Sequence, residues 1–360
     1  MLRKLWFQFH WLLGISAGVV LAVIGTTGAM LSFEEELLRA INPGVMTVAA
    51  RAGATPLTPP VLLERVAALQ PGRRVTSFTV SADKEASVRV AFEGGLTQYF
   101  DPYTGAALGS PRGMETFRQI RNVHRRLAAG EPGKQVVGAC TIALLLSSLS
   151  GLYLRWPRNP WRWRTWLVID FARKGRGFLW NVHAVLGTWV LVPYLVMGLT
   201  GLYWSYDWYR DALFALTGAP PPVRQASTGR AQPADLPAVW GAFQAQAHNS
   251  ASATVRLPAA SAQPVLITYL DIDAPHDRAF NRVLLDPARG AVLQHERYAD
   301  KAAGAKLMSS ILALHTGRFA GLSGSIALML ASLLMPFFTI TGWVLYVGRR
   351  ARRGALPVAA

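Results

Sequence analysis

Four stretches of the chain, at 11–33, 136–154, 184–204 and 322–347, are almost free of charged residues. Each is long enough to cross a hydrocarbon core of about 30 Å, because a helix rises ~1.5 Å per residue. Hydrophobic residues make up 51% of the 360-residue chain, which is high for a soluble enzyme. We therefore predict a mainly α-helical membrane protein with four transmembrane helices.

The basic residues of the chain concentrate beside these stretches. The formal net charge is +17, and lysine and arginine cluster before the first span, at 155–176 and at 349–353. Under the positive-inside rule these segments face the cytoplasm, whereas 35–133 and 207–320 face outward. This distribution argues against a nucleic-acid partner. It predicts a multi-pass protein of the bacterial inner membrane with both termini in the cytoplasm.

The chain also contains an internal duplication. Each half consists, in order, of a span, an outer segment, a histidine and a second span. Both halves begin with a span that leaves the cytoplasm, so we predict parallel repeats related by an axis along the membrane normal. Both outer segments carry an Asp-Pro-x-x-Gly turn, at Phe100–Ala106 and at Leu285–Ala291. The superposed residues are His10 and His183, Leu13 and Leu186, Gly14 and Gly187, Gly25 and Gly198, Thr27 and Thr200, Gly28 and Gly201, Ser32 and Ser205, His124 and His315, Gly130 and Gly321, Gly133 and Gly324, and Gly151 and Gly342.

The periodicity of both outer segments predicts small α+β domains, bounded by linkers at 52–60 and 217–235. An unbroken helix from His124 to Arg155 would rise about 46 Å, so we expect a break at Gly130–Gly133, and likewise at Gly317 and Gly321. The predicted helices are Pro60–Leu69, Met114–Leu127, Leu236–Ala247 and Ala305–His315, and the strands Val75–Val80, Ala86–Phe92, Leu96–Phe100, Ala253–Leu257, Val265–Leu270 and Ala279–Leu285.

These patterns divide the chain into eight segments. The predicted transmembrane helices occupy 1–35, 134–156, 178–206 and 321–348; the outer domains with their surface helices occupy 36–133 and 207–320; the basic loop is 157–177 and the cytoplasmic tail 349–360.

Of seven histidines, four lie at span ends in the duplicated positions. Topology sorts them into an inner pair, His10 with His183, and an outer pair, His124 with His315. Neutral imidazoles from two helices, one on each face of a porphyrin, are a usual way for a bundle to hold a b-type haem. Pairs on opposite sides of the membrane exclude a single four-histidine zinc site. The histidines without a repeat partner, left as surface or domain residues, are His248, His276 and His295.

Two sets of neighbours carry alternative interpretations. The glycines near the histidines allow either close approach of a flat macrocycle or helix–helix packing. The outer arginines Arg125, Arg126 and Arg318 suit either haem propionates or lipid headgroups.

The paired His-x-x-x-Gly spans, Gly-x-Thr-Gly and the outer Asp-Pro-x-x-Gly turns resemble the PepSY-associated transmembrane family, over roughly 5–350. Within it, the chain is most similar to inner-membrane di-haem ferrisiderophore reductases. The resemblance implies two small periplasmic PepSY-like domains, two haem b groups and His10, His183, His124 and His315 as ligands of the haem iron. It also implies an oxidoreductase that reduces periplasmic ferric siderophore with electrons from the cytoplasm.

The leading hypothesis is therefore electron transfer from a donor through inner and outer haems to a ferric complex docked between the outer domains, with no residue in a catalytic role. The chain has no flavodoxin-like segment, so the donor is a separate cytoplasmic molecule or a quinol. Two alternatives stay open. One is a quinol-linked membrane cytochrome with another periplasmic acceptor, and the other is a haem-free regulator or peptidase inhibitor whose outer domains bind protein.

Overall fold

A computed structural model describes residues 1–51, 53–220, 234–259 and 263–354, with side chains as far as Arg349. The chain forms two compact units, a helical unit of 1–33, 116–213 and 311–360, and a sheet unit of 34–115 and 214–310. The two predicted linkers fall partly outside the described residues, at residue 52 and at 221–233.

Among the described residues, three helices are long and apolar enough to cross a membrane, and the bent pair α7–α8 makes four if it is counted as one span. These helices cover the four predicted apolar stretches. The two short helices predicted before the outer histidine-bearing ends are also present, as α4 and α11. The helices are α1 (Leu2–Leu31), α2 (Glu34–Ile41), α3 (Pro59–Leu69), α4 (Met114–Arg126), α5 (Gly130–Arg155), α6 (Trp163–Leu167), α7 (Gly175–Trp189), α8 (Leu191–Ser205), α9 (Asp207–Thr217), α10 (Leu236–Gln246), α11 (Ala303–Thr316) and α12 (Gly321–Gly354).

Helices α7 and α8, which cover the third predicted stretch, meet at a bend of 58°. Pro193 lies in the first turn of α8 and has no backbone N–H to donate to the carbonyl of Trp189. The helix therefore ends at Trp189 and restarts at Leu191 in a new direction.

Helices α1, α5, α8 and α12 pack around one apolar core. Gly25 on α1 permits the closest approach, because a Cβ there would lie 2.5 Å from the carbonyl oxygen of Ser332 on α12. For Gly25 the helix-packing interpretation is thus the right one. The core residues come from α1 (Ala17, Leu21), α5 (Cys140, Leu144), α8 (Tyr194, Met197) and α12 (Ala331, Met335), together with Val190.

The break between α4 and α5 falls slightly earlier than predicted. Leu127 and Ala128 both adopt positive φ, at 50° and 56°, and α5 begins at Gly130. Pro132 therefore lies in the first turn of a helix, where its missing N–H costs nothing. Gly133 has a different role from the one predicted, since a Cβ there would overlap the carbonyl oxygen of Arg126. The second predicted break is confirmed at Gly317, with φ of 79°.

The sheet unit is built on eight antiparallel strands in the order β4-β3-β2-β1-β5-β6-β7-β8. The six predicted strands are confirmed, and β4 and β8 are additional edge strands. The strands are β1 (Val75–Ser81), β2 (Val88–Phe92), β3 (Thr97–Phe100), β4 (Ala107–Gly109), β5 (Ser250–Arg256), β6 (Val265–Asp271), β7 (Asn281–Leu285) and β8 (Val292–Glu296).

Strands β1 and β5 join the two outer segments into one sheet. Thr79 lies opposite Thr254, and their hydroxyl oxygens are 2.9 Å apart. The expected two small domains are therefore a single compact unit with one shared hydrophobic core. Pairing β1 with β5 leaves neither strand with unpaired backbone groups at an edge.

Both Asp-Pro-x-x-Gly turns form as predicted. The Asp101 carboxylate accepts from the backbone N–H of Tyr103 and Thr104, at 2.7 and 3.2 Å. Asp286 does the same for the two residues after Pro287, at 2.9 and 2.8 Å. Each turn closes on a glycine with φ near 70°, which favours glycine.

Candidate functional site

The helical unit brings the two outer repeat-matched histidines together. His124 on α4 and His315 on α11 have ring centroids 6.3 Å apart, and Trp204 packs edge-on against His315. The inner pairing of His10 on α1 with His183 on α7 stays a prediction.

Each histidine uses its Nδ1 atom to contact a hydroxyl on another helix of the same repeat half. The distances from Nδ1 to the hydroxyl oxygen lie between 2.7 and 3.2 Å. The four contacts are His10 with Ser150 at 2.9 Å, His183 with Thr341 at 2.7 Å, His124 with Thr27 at 3.2 Å, and His315 with Thr200 at 2.9 Å.

These contacts determine which ring nitrogen carries the proton. A hydroxyl has one hydrogen, and each of the four already donates it to a backbone carbonyl of its own helix, as Thr341 does to Phe337 at 2.8 Å. The hydroxyl must then accept from the imidazole. For His124 the carbonyl oxygen of Ile24, 3.0 Å from Nδ1, can also only accept. Each ring therefore has a protonated Nδ1 and a free lone pair on Nε2.

Glycines beside these hydroxyls make room for the imidazole rings. A Cβ at Gly28 would lie 3.0 Å from Cε1 of His124, and one at Gly151 would lie 3.2 Å from Cε1 of His10. Gly201 has the same relation to His315, at 3.5 Å. The role of these three glycines is to leave space for the imidazole rings, because the side-chain atoms nearest to them belong to the histidines. Neither close approach of a macrocycle nor helix–helix packing alone describes this role.

The glycines one turn after the inner histidines are not packed tightly. A Cβ at Gly14 would meet nothing within 4 Å, and one at Gly187 would meet only Phe338, at 3.9 Å. Helix–helix packing therefore does not require a glycine at either position.

Burial keeps the outer histidines neutral. Desolvation lowers the pKa of His124, and it lowers the pKa of His315 to about 4, with the neighbouring His124 acting in the same direction. A neutral imidazole is the form that ligates a metal. The outer pair is therefore ready to coordinate at neutral pH without first losing a proton.

The residues present fit bis-imidazole ligation of a haem. The two rings of the outer pair have centroids 6.3 Å apart and each offers an unprotonated Nε2, so the two side chains could hold one haem between them. Within the described residues, no group of three or more His, Cys, Asp or Glu side chains could hold a metal ion. The candidate donor sets are pairs, and axial ligation of a haem needs two donors.

Arg318 and the three remaining histidines lie outside the two histidine pairs. Arg318, expected near a propionate or a headgroup, donates to the backbone oxygen of Ser32 at 3.4 Å. Outside the two pairs, His276 is buried against Tyr298 and Ser310, whereas His295 binds the hydroxyl of Tyr269 at 2.8 Å. His248 is exposed. These three histidines contribute to the sheet unit, as expected.

A family model matches nearly the whole chain. The model described as PepSY-associated TM region matches residues 7–349. The chain belongs to that family. A search of curated proteins gives no match to the chain.

The hydroxyl partners of the PepSY-associated TM histidines are the site residues that sequence reasoning missed. Thr27 and Thr200 were part of the repeated Gly-x-Thr-Gly motif, but Ser150 and Thr341 were not identified. A signal existed in the repeat alignment, because Thr27-Gly28 and Ser150-Gly151 of the first half superpose on Thr200-Gly201 and Thr341-Gly342 of the second. These matched dipeptides could have suggested a hydroxyl partner for each ring.

Proposed function

We propose that this membrane protein is a di-haem b oxidoreductase that reduces periplasmic ferric siderophore with electrons from the cytoplasmic side. The observation that supports the proposal is the set of four imidazoles, each ring held through Nδ1 with a free Nε2. When bound, two b-type haems would supply one-electron carriers at two levels of the membrane.

The histidines of this chain would hold the cofactors in two pairs. His10 and His183 would ligate the inner haem, and His124 and His315 the outer one. If both imidazoles of a pair held the iron, the ferric complex would be reduced without binding to the haem iron. One electron converts its Fe³⁺ to Fe²⁺, which oxygen donors hold less tightly, and the iron is released.

The proposed orientation rests on the distribution of charge. Basic residues at 155–176 and 349–353 favour a cytoplasmic location for these segments and for both termini. The sheet unit would then lie in the periplasm, with the outer pair nearer to it in sequence. The symmetrical strand order about β1 and β5 and the matched hydroxyl contacts support two parallel repeats.

The absorption spectrum of the purified chain, expressed with sufficient haem, tests the proposal directly. We expect a Soret band, reduced-minus-oxidised bands of low-spin b-type haem, and two haems per chain. The change His315→Ala should halve the haem content. The exposed His248→Ala is the matched control and should retain both haems. Absence of a Soret band from the unaltered chain would contradict the proposal and favour the haem-free binding protein.

Reoxidation of the reduced protein identifies the acceptor. Under anaerobic conditions, ferric siderophores should reoxidise the dithionite-reduced chain faster than other periplasmic electron acceptors. If ferric siderophores leave it reduced while another acceptor oxidises it, and a quinol reduces it, the quinol-linked cytochrome is the better assignment.

A further inference from the structure

The loop at 156–174, between α5 and α7, is fastened to the side of α7. Arg155, the last residue of α5, donates to the backbone oxygen of Thr165 in the loop and to that of Ala184 in α7. The indole Nε1 of Trp189 donates to the backbone oxygen of Leu167 at 3.1 Å. Side chains from two helices therefore hold the backbone of this loop.

These contacts place part of the loop beside an apolar stretch. Ala184 and Trp189 both belong to the stretch at 184–204, so the loop residues bound next to them lie at its depth. Backbone groups at that depth cannot rely on water for hydrogen bonds, and here the neighbouring helices supply the donors. The backbone N–H of Asp170 is also satisfied, by Oδ1 of Asn181 at 2.8 Å. The loop backbone is thus suited to a position at the membrane boundary.

Large apolar side chains of the loop face outward. Trp161 is 91% exposed, Phe171 79% and Trp163 62%. Leu167 and Val168 are exposed as well. Apolar side chains clustered at a surface mark a place of interaction, and tryptophan is favoured where lipid headgroups meet acyl chains.

Basic side chains surround these aromatic residues. Seven basic residues and one carboxylate lie at 155–176, which leaves six net positive charges. The carboxylate, on Asp170, is paired with Arg173 at 2.9 Å. Exposed aromatic side chains together with excess basic charge are typical of a segment that lies in an anionic lipid surface. The basic residues are Arg155, Arg158, Arg162, Arg164, Arg173, Lys174 and Arg176.

The aromatic side chains favour a lipid over a soluble anion. A free phosphate or an acidic protein could satisfy the charges, but a free phosphate would leave Trp161 and Phe171 in water, and neither occupant accounts for a loop bound beside an apolar stretch. An anionic phospholipid supplies a headgroup for the basic side chains and acyl chains for the aromatic ones.

We infer that the loop at 156–174 lies in the headgroup layer of the membrane and binds anionic phospholipid. The inference rests on the spans and not on bound haem, so it can fail while the proposed function holds. It also has a consequence for the inner pair. His183 lies between Asn181 and Ala184, which both bind the loop or its anchor Arg155, so lipid that holds the loop also supports the part of α7 that carries His183.

Hydrogen exchange of the full chain in nanodiscs tests the position of the loop. Amides at 161–171 should exchange severalfold more slowly in nanodiscs that contain phosphatidylglycerol than in nanodiscs of phosphatidylcholine alone. Trp161→Ser with Trp163→Ser should speed exchange of these amides in both lipids, because the aromatic contacts with the acyl chains are lost.

Native mass spectrometry of the chain in detergent measures phosphatidylglycerol binding directly. Arg158→Gln with Lys174→Gln should weaken that binding by at least about tenfold, because each basic residue near an anionic lipid adds to the attraction. The exchange of charges Arg158→Lys with Lys174→Arg should preserve it. The matched control removes two exposed arginines from the sheet unit, Arg73→Gln with Arg256→Gln, and should leave binding unchanged.

Three results would overturn the inference. The first is equal exchange of the loop amides with and without phosphatidylglycerol, and the second is equal lipid binding by the glutamine variant and the parent chain. The third is slow exchange that appears only when an acidic protein is added, which would identify a protein-docking loop. A folding defect would weaken binding in the charge-preserving variant too, whereas loss of a lipid contact affects the glutamine variant alone.

Discussion

Replacing Thr341 by valine should weaken haem binding at the inner histidine pair. The equivalent change at the outer pair, Thr27→Val, should weaken haem binding less. Thr341 is 3% exposed, and its hydroxyl oxygen lies 2.7 Å from Nδ1 of His183. Valine keeps the shape of the side chain but cannot accept a hydrogen bond. Among the described contacts of His183, no backbone carbonyl replaces it. The Nδ1–H group would be left buried without an acceptor.

The expected magnitude follows from that unsatisfied donor. A buried polar group without a partner costs about 1–3 kcal/mol, so haem affinity at the inner pair should fall by about 5- to 150-fold. The inner midpoint potential should also rise, by up to about 60 mV, because an Nδ1–H bond makes the ligand more basic and favours ferric iron. Haem titration and spectroelectrochemistry on the purified chain measure the two effects.

Thr27→Val is the matched control, because the carbonyl oxygen of Ile24 lies 3.0 Å from Nδ1 of His124 and still accepts. Its effect should stay below about 1 kcal/mol. Thr341→Ser should restore both affinity and potential. The reasoning is refuted if Thr27→Val costs as much as Thr341→Val, or if serine fails to rescue.

Three further outcomes are expected. Replacing both histidines of the outer pair by alanine should lose no more haem than replacing either one, and loss of two haems per chain in the spectrum would contradict the pairing. Gly133→Ala should destabilise the chain by roughly 3 kcal/mol in thermal unfolding, because its Cβ would overlap the Arg126 carbonyl, whereas Gly342→Ala, with open space within 4 Å, should be tolerated. Because the inner loop is basic, reduction by an acidic flavoprotein donor should slow as the salt concentration rises. It should also slow after the double change Arg162→Glu with Arg164→Glu. Rates that respond to neither perturbation would exclude electrostatic docking.

Local pattern was sufficient to predict most elements of this protein. Apolar length predicted the spans, alternation predicted six of the eight strands, and the Asp-Pro-x-x-Gly turns form around Asp101 and Asp286. The four histidines were found because duplication placed them in register. These features depend on residues close together in the chain, or on a comparison of one half with the other.

Tertiary structure decided what depends on contact between distant segments. Strand pairing of Thr79 with Thr254 joins the two outer segments, and no local pattern distinguishes this edge from a free one. The helix breaks at Leu127 and Ala128, which adopt positive φ although leucine and alanine rarely do so. The glycines and the proline at 130–133 therefore predicted the break a few residues too late. The proton on each imidazole was likewise set by tertiary structure. The acceptors lie on other helices, as Thr341 does for His183, and only packing brings those helices within hydrogen-bonding distance.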